Sequence, residues 1–134
     1  MLKNVKCARC VKCGREYEAT PDLTTCECGG ILDIIYDYDY IRKNLTKEKL
    51  KSRPHTMWRY RELLPVEETT PDTPLRVGWS PLYEEPRLAK VLGLKNLWVK
   101  DDGQNPTASL KDRASAMAVA KAGEAGAKII ACSS

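Results

Sequence analysis

The order of apolar and polar residues divides the chain into stretches with different predicted structure. Residues 1–40 contain short extended runs broken by glycine and proline, and residues 31–40 are rich in β-branched and aromatic side chains, so we predict a small β module. Residues 41–64 place apolar side chains among charges in a pattern typical of two short amphipathic helices separated at Pro54. Residues 65–74 are acidic and proline-rich, which predicts a linker.

Beyond residue 74 the pattern is that of an α/β domain. In chain order we predict a helix at residues 87–92, a strand at residues 96–100, a long alanine-rich helix that ends near residue 124, and a second strand at residues 128–132. Thr107 or Ser109 is expected to cap the long helix, and Gly126 to end it. Strand, helix and strand in this order predict part of a parallel sheet, with too few strands to be complete.

Composition agrees with a soluble protein and gives no support to nucleic-acid binding. Apolar residues make up 43% of the chain and charged residues 30%, and the formal net charge of +4 is spread over mixed-sign stretches. No apolar run approaches the ~18 residues that a membrane span needs, and the N-terminus lacks the pattern of a secretory signal. We therefore expect a cytoplasmic protein without a membrane partner.

Five of the six cysteines lie within the first 28 residues. Because disulfides are not expected in a cytoplasmic chain, clustered thiols indicate a metal site instead. Cys10 and Cys13 form a CxxCG turn, and Cys26 and Cys28 form a CxCGG turn. Four thiolates from two tight turns match the tetrahedral preference of structural zinc, which would supply folding energy to a segment too small for its own core. The spacing thus predicts Cys10, Cys13, Cys26 and Cys28 as zinc ligands.

Other interpretations of the cysteines stay open at this point. Cys7 forms a second CxxC with Cys10 and is a rival ligand, iron is an alternative to zinc, and the cysteines are free thiols if no metal binds. Cys132 lies on the predicted apolar strand after the long helix, so we expect it in the core.

Lys111 lies in the segment NPTASLKDR, residues 105–113, where the long helix begins. The positive end of a helix dipole favours the neutral amine that Schiff-base chemistry needs. On spacing alone, a lysine at this position is more often a solvated surface residue.

Three segments resemble one enzyme family. NPTASLKDR resembles the NPTGSFKDR-type segment that carries the cofactor lysine in fold-type-II pyridoxal-phosphate (PLP) enzymes, and it is similar to the threonine synthase version. Two further threonine synthase segments are similar to MWRY with LP, in residues 57–65, and to GWSPL, in residues 78–82. The cysteine turns resemble the zinc ribbon that some members of the family carry. Ala108, Leu110 and Ser80 replace the family's glycine, phenylalanine and threonine; an alanine at position 108 predicts an ordinary backbone conformation there.

The resemblance implies an α/β fold in three parts. Residues 1–40 would form a Cys₄ zinc ribbon, residues 41–73 a helical connector and linker, and residues 74–134 the incomplete first part of a fold-type-II, tryptophan synthase β-like PLP domain. Lys111 would be both the catalytic lysine and a cofactor-binding residue. Ser134, which matches the first residue of the family's S-T-G-N type loop, would also contact the cofactor.

The activity implied by the resemblance is the PLP-dependent conversion of the amino-acid substrate O-phosphohomoserine to threonine and phosphate, in a homodimer. This chain alone is expected to have little activity, because the family's phosphate cradle and the residue at the cofactor ring nitrogen come later in the sequence. Alternatives are cysteate synthase, threonine dehydratase or diaminopropionate ammonia-lyase. From another class, the chain would be a non-catalytic zinc-ribbon fragment that binds protein or nucleic acid.

Overall fold

The computed structural model describes residues 2–132, which form a mixed α/β structure. Its elements are, in chain order, β1 (Val5–Cys10), β2 (Glu16–Tyr17), β3 (Leu32–Tyr36), α1 (Tyr38–Asn44), α2 (Lys47–Ser52), a 3₁₀ helix (Met57–Leu63), β4 (Leu82–Glu84), α3 (Pro86–Val91), β5 (Trp98–Lys100), a second 3₁₀ helix (Asp102–Gln104) and α4 (Asp112–Glu124). None of the helices in residues 2–132 has the length and apolar character needed to cross a bilayer.

The first three strands form an antiparallel sheet in the order β2-β1-β3, so the predicted β module is present. The module is shorter than the β-rich composition suggests, because the last tyrosines of that segment start α1 instead of extending β3. Asp37 ends the strand: its carboxylate accepts hydrogen bonds from the backbone N–H groups of Asp39 and Tyr40, at 3.1 and 3.0 Å, and so caps the helix.

The connector differs from the two helices predicted around Pro54. Both α-helices precede this proline, and Thr46 separates them by capping α2 through its hydroxyl, which accepts from the Lys49 N–H. After Pro54 the chain forms a 3₁₀ helix. Asn4 joins the β module to this connector, because its side-chain amide donates to the carbonyl oxygens of Glu62 and Leu64 at 3.0 and 2.7 Å.

A small apolar core joins the connector, the linker and α4. It contains Met57, Trp58, Val66, Val77, Ala116 and Ala120. The alanines repeat every four residues, so they lie on one face of α4. The linker is irregular, as predicted, yet it is packed: Val66 belongs to the core, and Glu124 accepts hydrogen bonds from the Glu67 N–H, at 2.8 Å, and from the Thr70 hydroxyl.

The strand predicted at residues 128–132 is wrong. Within residues 2–132, β5 pairs only with β4, and it does so antiparallel, so the expected parallel strand–helix–strand unit is not formed. Ile129 is 87% exposed, and Cys132, which we expected in the core, is exposed as well. An apolar run becomes a strand only where a neighbouring strand can satisfy its backbone hydrogen bonds, and the described chain offers none beside these residues.

Candidate metal and cofactor sites

The structure brings the sulfur atoms of Cys10, Cys13, Cys26 and Cys28 within 4.8 Å of one another. Cys10 and Cys28 have an Sγ–Sγ distance of 3.6 Å, and Cys13 and Cys26 have the same separation. Four sulfurs around a zinc ion with bonds of about 2.3 Å stand about 3.8 Å apart, so the cluster has the size of a tetrahedral thiolate site. Cys7, the rival ligand, lies outside this group of four.

Glycine closes each cysteine turn. Gly14 donates its N–H to the Cys10 carbonyl at 2.9 Å, and Gly29 donates to the Cys26 carbonyl at 2.8 Å. Both glycines have a positive φ, 75° and 74°, which a residue with a side chain adopts only under strain. Gly30 has a different role: a Cβ at this position would lie 2.5 Å from Cys10 Sγ, so only glycine leaves room for the sulfurs.

Neighbouring groups already bias the sulfurs towards different protonation states. The Tyr17 hydroxyl lies 3.1 Å from Cys26 Sγ and, with the backbone N–H of Cys28, lowers the pKa of Cys26 to about 6. The pKa of Cys28 is raised to about 12, first of all by its hydrogen bond to Cys26. Four close thiolates repel one another, and full ionisation therefore needs a cation between them. A divalent metal fits this donor set.

The Lys111 side chain is exposed, and its Nζ has no hydrogen bond or ion pair with any residue in the range 2–132. Lys111 occupies the N-cap position of α4 with a helical backbone conformation. The loop before it is ordered by local hydrogen bonds: the backbone N–H of Lys111 donates to the Ser109 hydroxyl at 3.1 Å, and Asp112 accepts from the backbone N–H of Thr107 at 2.8 Å. The amine is thus free on a loop whose backbone is fixed.

The prediction that Thr107 or Ser109 caps α4 is wrong. No side chain caps the helix at its N-cap position. The hydroxyl of Ser109 accepts from Lys111 within the preceding turn, and that of Thr107 donates to Asp112, so both are already engaged. The backbone at Ala108 also differs from expectation, because its φ is 55°, in the left-handed region. Ala108 is the last residue of a turn that begins at Asn105 and is closed by a 2.8 Å hydrogen bond from the Ala108 N–H to the Asn105 carbonyl.

A buried amide attaches the Lys111 loop to the segment at residues 78–82. Asn105 accepts a hydrogen bond from the Gly78 N–H at 3.0 Å, and its own amide donates to the Asp102 carbonyl at 2.9 Å. Gly78 has a φ of 84°, and a Cβ there would lie 2.8 Å from the Met57 nitrogen. The three segments that resemble threonine synthase therefore meet at Gly78.

A bidentate ion pair fixes the first turn of α4. Arg113 donates to both carboxylate oxygens of Asp102, at 2.8 and 3.0 Å, and to the Ser80 hydroxyl at 3.2 Å. The Ser80 hydroxyl in turn donates to Asp102. The Arg113 hydrogen bonds, followed by that of Ser80, hold the pKa of Asp102 well below its usual range. Asp102 is therefore an anion at neutral pH, two residues beyond β5.

Sequence reasoning did not identify Asp102 or Gly78 as site residues. Asp102 lies in the turn-rich stretch after a strand, where acidic residues are common. The sequence around it does not indicate that Arg113 is its ion-pair partner. Gly78 is visible in the sequence only as part of the GWSPL segment, and nothing local in that segment shows that the backbone of another segment approaches it closely. Ser134, predicted to contact the cofactor, lies outside the described residues.

Residues 73–134 match the family model described as "Pyridoxal-phosphate dependent enzyme". The chain is 45% identical over 126 residues to the threonine synthase of Methanocaldococcus jannaschii, an alignment that covers 94% of this chain and 31% of that protein. It is also 45% identical over 127 residues to the threonine synthase of Methanosarcina acetivorans, covering 94% of this chain and 30% of that protein.

A shorter match, 49% identical over 76 residues, is to the threonine synthase of Synechocystis sp. and covers 56% of this chain and 20% of that protein. No solved structure matches the chain. The chain thus spans about a third of the length of the first two of these relatives.

Proposed function

Since this chain is a relative of the threonine synthases, a family of PLP-dependent enzymes, we propose that it contributes the cofactor lysine, Lys111, to an enzyme that converts O-phosphohomoserine to threonine and phosphate. One observation carries the proposal: the amine of Lys111 is free, while the loop that bears it is fixed by its own hydrogen bonds and attached to the segment at residues 78–82 through Asn105 and Gly78. A solvated surface lysine without a function does not require hydrogen bonds that fix the loop around it.

The loop residues and the ion pair beside them have different parts in this proposal. PLP, when bound, supplies an electron-withdrawing ring that stabilises negative charge on substrate carbon atoms. Lys111 holds the cofactor through Nζ, and the same nitrogen is the group we assign to proton transfer on the substrate. Asp112 and Asn105 position the loop, and the Asp102–Arg113 ion pair holds the turn of α4 that follows.

We further propose that Cys10, Cys13, Cys26 and Cys28 bind zinc as a closed structural site. The 3.6 Å sulfur separations and Gly30, which leaves room for the sulfurs, support this assignment. A closed shell of four thiolates leaves the metal no position for substrate, so the zinc would stabilise the β module without taking part in the chemistry. We also propose that the chain divides into parts at residues 40 and 73 and that the enzyme is a homodimer.

Incubation with PLP, reduction with borohydride and peptide mapping by mass spectrometry test the assignment of Lys111. We expect most of the label on Lys111 in the wild-type chain and none at that position in Lys111→Arg. The matched control is Lys90→Arg, which changes an exposed lysine of α3 and should leave the labelling of Lys111 unchanged. Label spread evenly over the surface lysines would refute the assignment.

The substrate is tested separately, in a protein that contains this chain, by measuring phosphate release from O-phosphohomoserine. Release that depends on Lys111 supports a threonine synthase. Formation of 2-oxobutanoate from threonine, without phosphate release from O-phosphohomoserine, would instead identify a threonine dehydratase.

A further inference from the structure

Arg59 is a buried cation that uses only part of its hydrogen-bonding capacity. Only 7% of its surface is exposed. Its Nη2 donates to the Leu50 carbonyl, but Nε and Nη1 have no hydrogen-bond partner in residues 2–132. Buried guanidinium N–H groups are costly to leave unpaired, so an acceptor is expected beside them.

Thr56 has the same property. Its hydroxyl is buried and unpartnered in the described chain, and the Arg59 N–H donates to the Thr56 carbonyl at 3.3 Å, which folds the two residues into one turn. A hydroxyl and two guanidinium N–H groups can all donate to one acceptor. A ligand with several oxygen atoms would supply the acceptors that these donors lack within residues 2–132.

The charges around Arg59 favour an anion. Glu62 is the acidic residue nearest to Arg59 in sequence, and both of its oxygens accept from Arg53, at 2.6 and 2.7 Å. Arg53 also donates to the Arg59 carbonyl, and Arg76 donates to the His55 carbonyl at 3.3 Å. Glu62 is therefore already paired with Arg53, and within residues 2–132 no ion pair neutralises the charge of Arg59.

Trp79 covers the Arg59 guanidinium. The Arg59 Cζ atom lies 4.3 Å from the centre of a Trp79 ring, and the His55 ring stacks on Trp79 at 4.0 Å with an interplanar angle of 8°. Trp79 is 47% exposed, so its side chain can swing out without opening the core. Its backbone has a φ of 54°, in the left-handed region, where a residue with a side chain is strained.

From these contacts we propose that Arg59 and Thr56 form a binding site for a small oxyanion, free phosphate, which reaches them when the Trp79 ring moves away from Arg59. Guanidinium and hydroxyl groups together are the donors that recognise such oxygens. The site uses none of the residues that we assign to PLP or zinc, so its test is independent of the proposed function.

The test is a titration of the PLP-free chain with inorganic phosphate at constant ionic strength, with chloride as the reference anion. Thermal unfolding and tryptophan fluorescence report binding. We expect saturating phosphate to raise Tm by about 3 °C or more, because a ligand that binds only the folded state stabilises it. The fluorescence change should disappear in Trp79→Phe, although Trp58 and Trp98 remain.

Variants separate binding from a merely structural role. Arg59→Gln should remove the phosphate response. Thr56→Val should weaken the apparent Kd by about fivefold, while in chloride it should keep or raise Tm because it removes an unsatisfied hydroxyl. Arg42→Gln, which changes an exposed arginine paired with Asp39, is the matched control and should respond like the wild type.

Equal Tm values in phosphate and chloride would overturn the proposal, because ordered water would then be the acceptor for Arg59. The same conclusion follows if Arg59→Gln keeps the full phosphate response. If Arg59→Gln fails to fold, Thr56→Val decides: an unchanged Kd in that variant refutes the site.

Discussion

The cysteine cluster and the Lys111 loop are both close arrangements of polar groups, but their partners lie at different distances along the chain. The paired sulfurs are separated by 18 and 13 residues, and both turns are marked by glycine. The Lys111 loop is held by contacts across 27 residues, from Gly78 to Asn105, and 33 residues, from Ser80 to Arg113. A local motif can encode the first arrangement, whereas the second exists only once the fold has brought distant segments together.

The two regions also differ in how they cover apolar surface. In the β module the sheet buries Ala8 and Cys10, at 2% and 1% exposure. Beyond residue 74, large apolar side chains remain exposed on β5, α3 and the segment after α4, among them Trp98, Val91 and Ile130. The Lys111 region is therefore ordered by polar contacts more than by a core, and polar substitutions should disturb it most.

The largest expected effect is on the cysteine cluster. Cys10→Ser removes one of four thiolates, so zinc binding should be lost and the β module should unfold, since structural zinc contributes on the order of 10 kcal/mol in small modules. Metal analysis and circular dichroism measure both results. Cys7→Ser is the matched control. Because Cys7 lies outside the cluster, this variant should keep one zinc per chain. Equal loss of zinc in both variants would mean that Cys7 is a ligand.

The next effect is on the Lys111 region. Asp102→Asn leaves Arg113 without its anion, and we expect a loss of about 2 kcal/mol in the free energy of unfolding, because the pair is partly buried and bidentate. Asp39→Asn breaks an exposed ion pair and is the control; its Tm should stay that of the wild type. A similar Tm for both variants would show that the Asp102 pair does not hold α4.

The same substitution changes the response to acid. The pKa of Asp102 is lowered in the folded state, so the ion pair stabilises the fold at pH values above the ordinary carboxyl pKa of about 3.9, and this stability is lost as the pH falls below that value. Unfolding curves between about pH 2 and 6 should therefore be less steep in pH for Asp102→Asn than for the wild type.

The smallest effect is at Ala108. An alanine with a φ of 55° is strained, so Ala108→Gly should stabilise the chain by up to about 1 kcal/mol, once the greater freedom of glycine in the unfolded state is subtracted. Ala118→Gly, at an exposed position inside α4, should have the opposite sign and cost about 1 kcal/mol. Chemical denaturation of both variants measures the difference, and destabilisation by Ala108→Gly would contradict the strain.

These contrasts also explain which features could be predicted. Cysteine spacing predicted the four sulfurs that lie together, with Cys7 left as a rival, and Gly126 after the alanine-rich stretch predicted where α4 ends. The Asp102–Arg113 pair, the left-handed Ala108 and the antiparallel pairing of β4 with β5 depend on segments that are distant in sequence, so no local pattern announces them. The strand predicted at residues 128–132 failed for the same reason, since its apolar residues do not reveal whether a partner strand is present.

The contacts of the acidic, proline-rich segment give it a mechanical role. Composition alone would make it a spacer that lets its two ends move separately. Instead, Val66 lies in the core, and the Glu124 carboxylate accepts a hydrogen bond from the Glu67 backbone N–H. Asn4 donates a hydrogen bond to the Glu62 carbonyl, in the connector that precedes this segment. We therefore expect a displacement of α4 to be transmitted through the linker and Asn4 to the β module, which couples the cysteine cluster to the helix that follows Lys111.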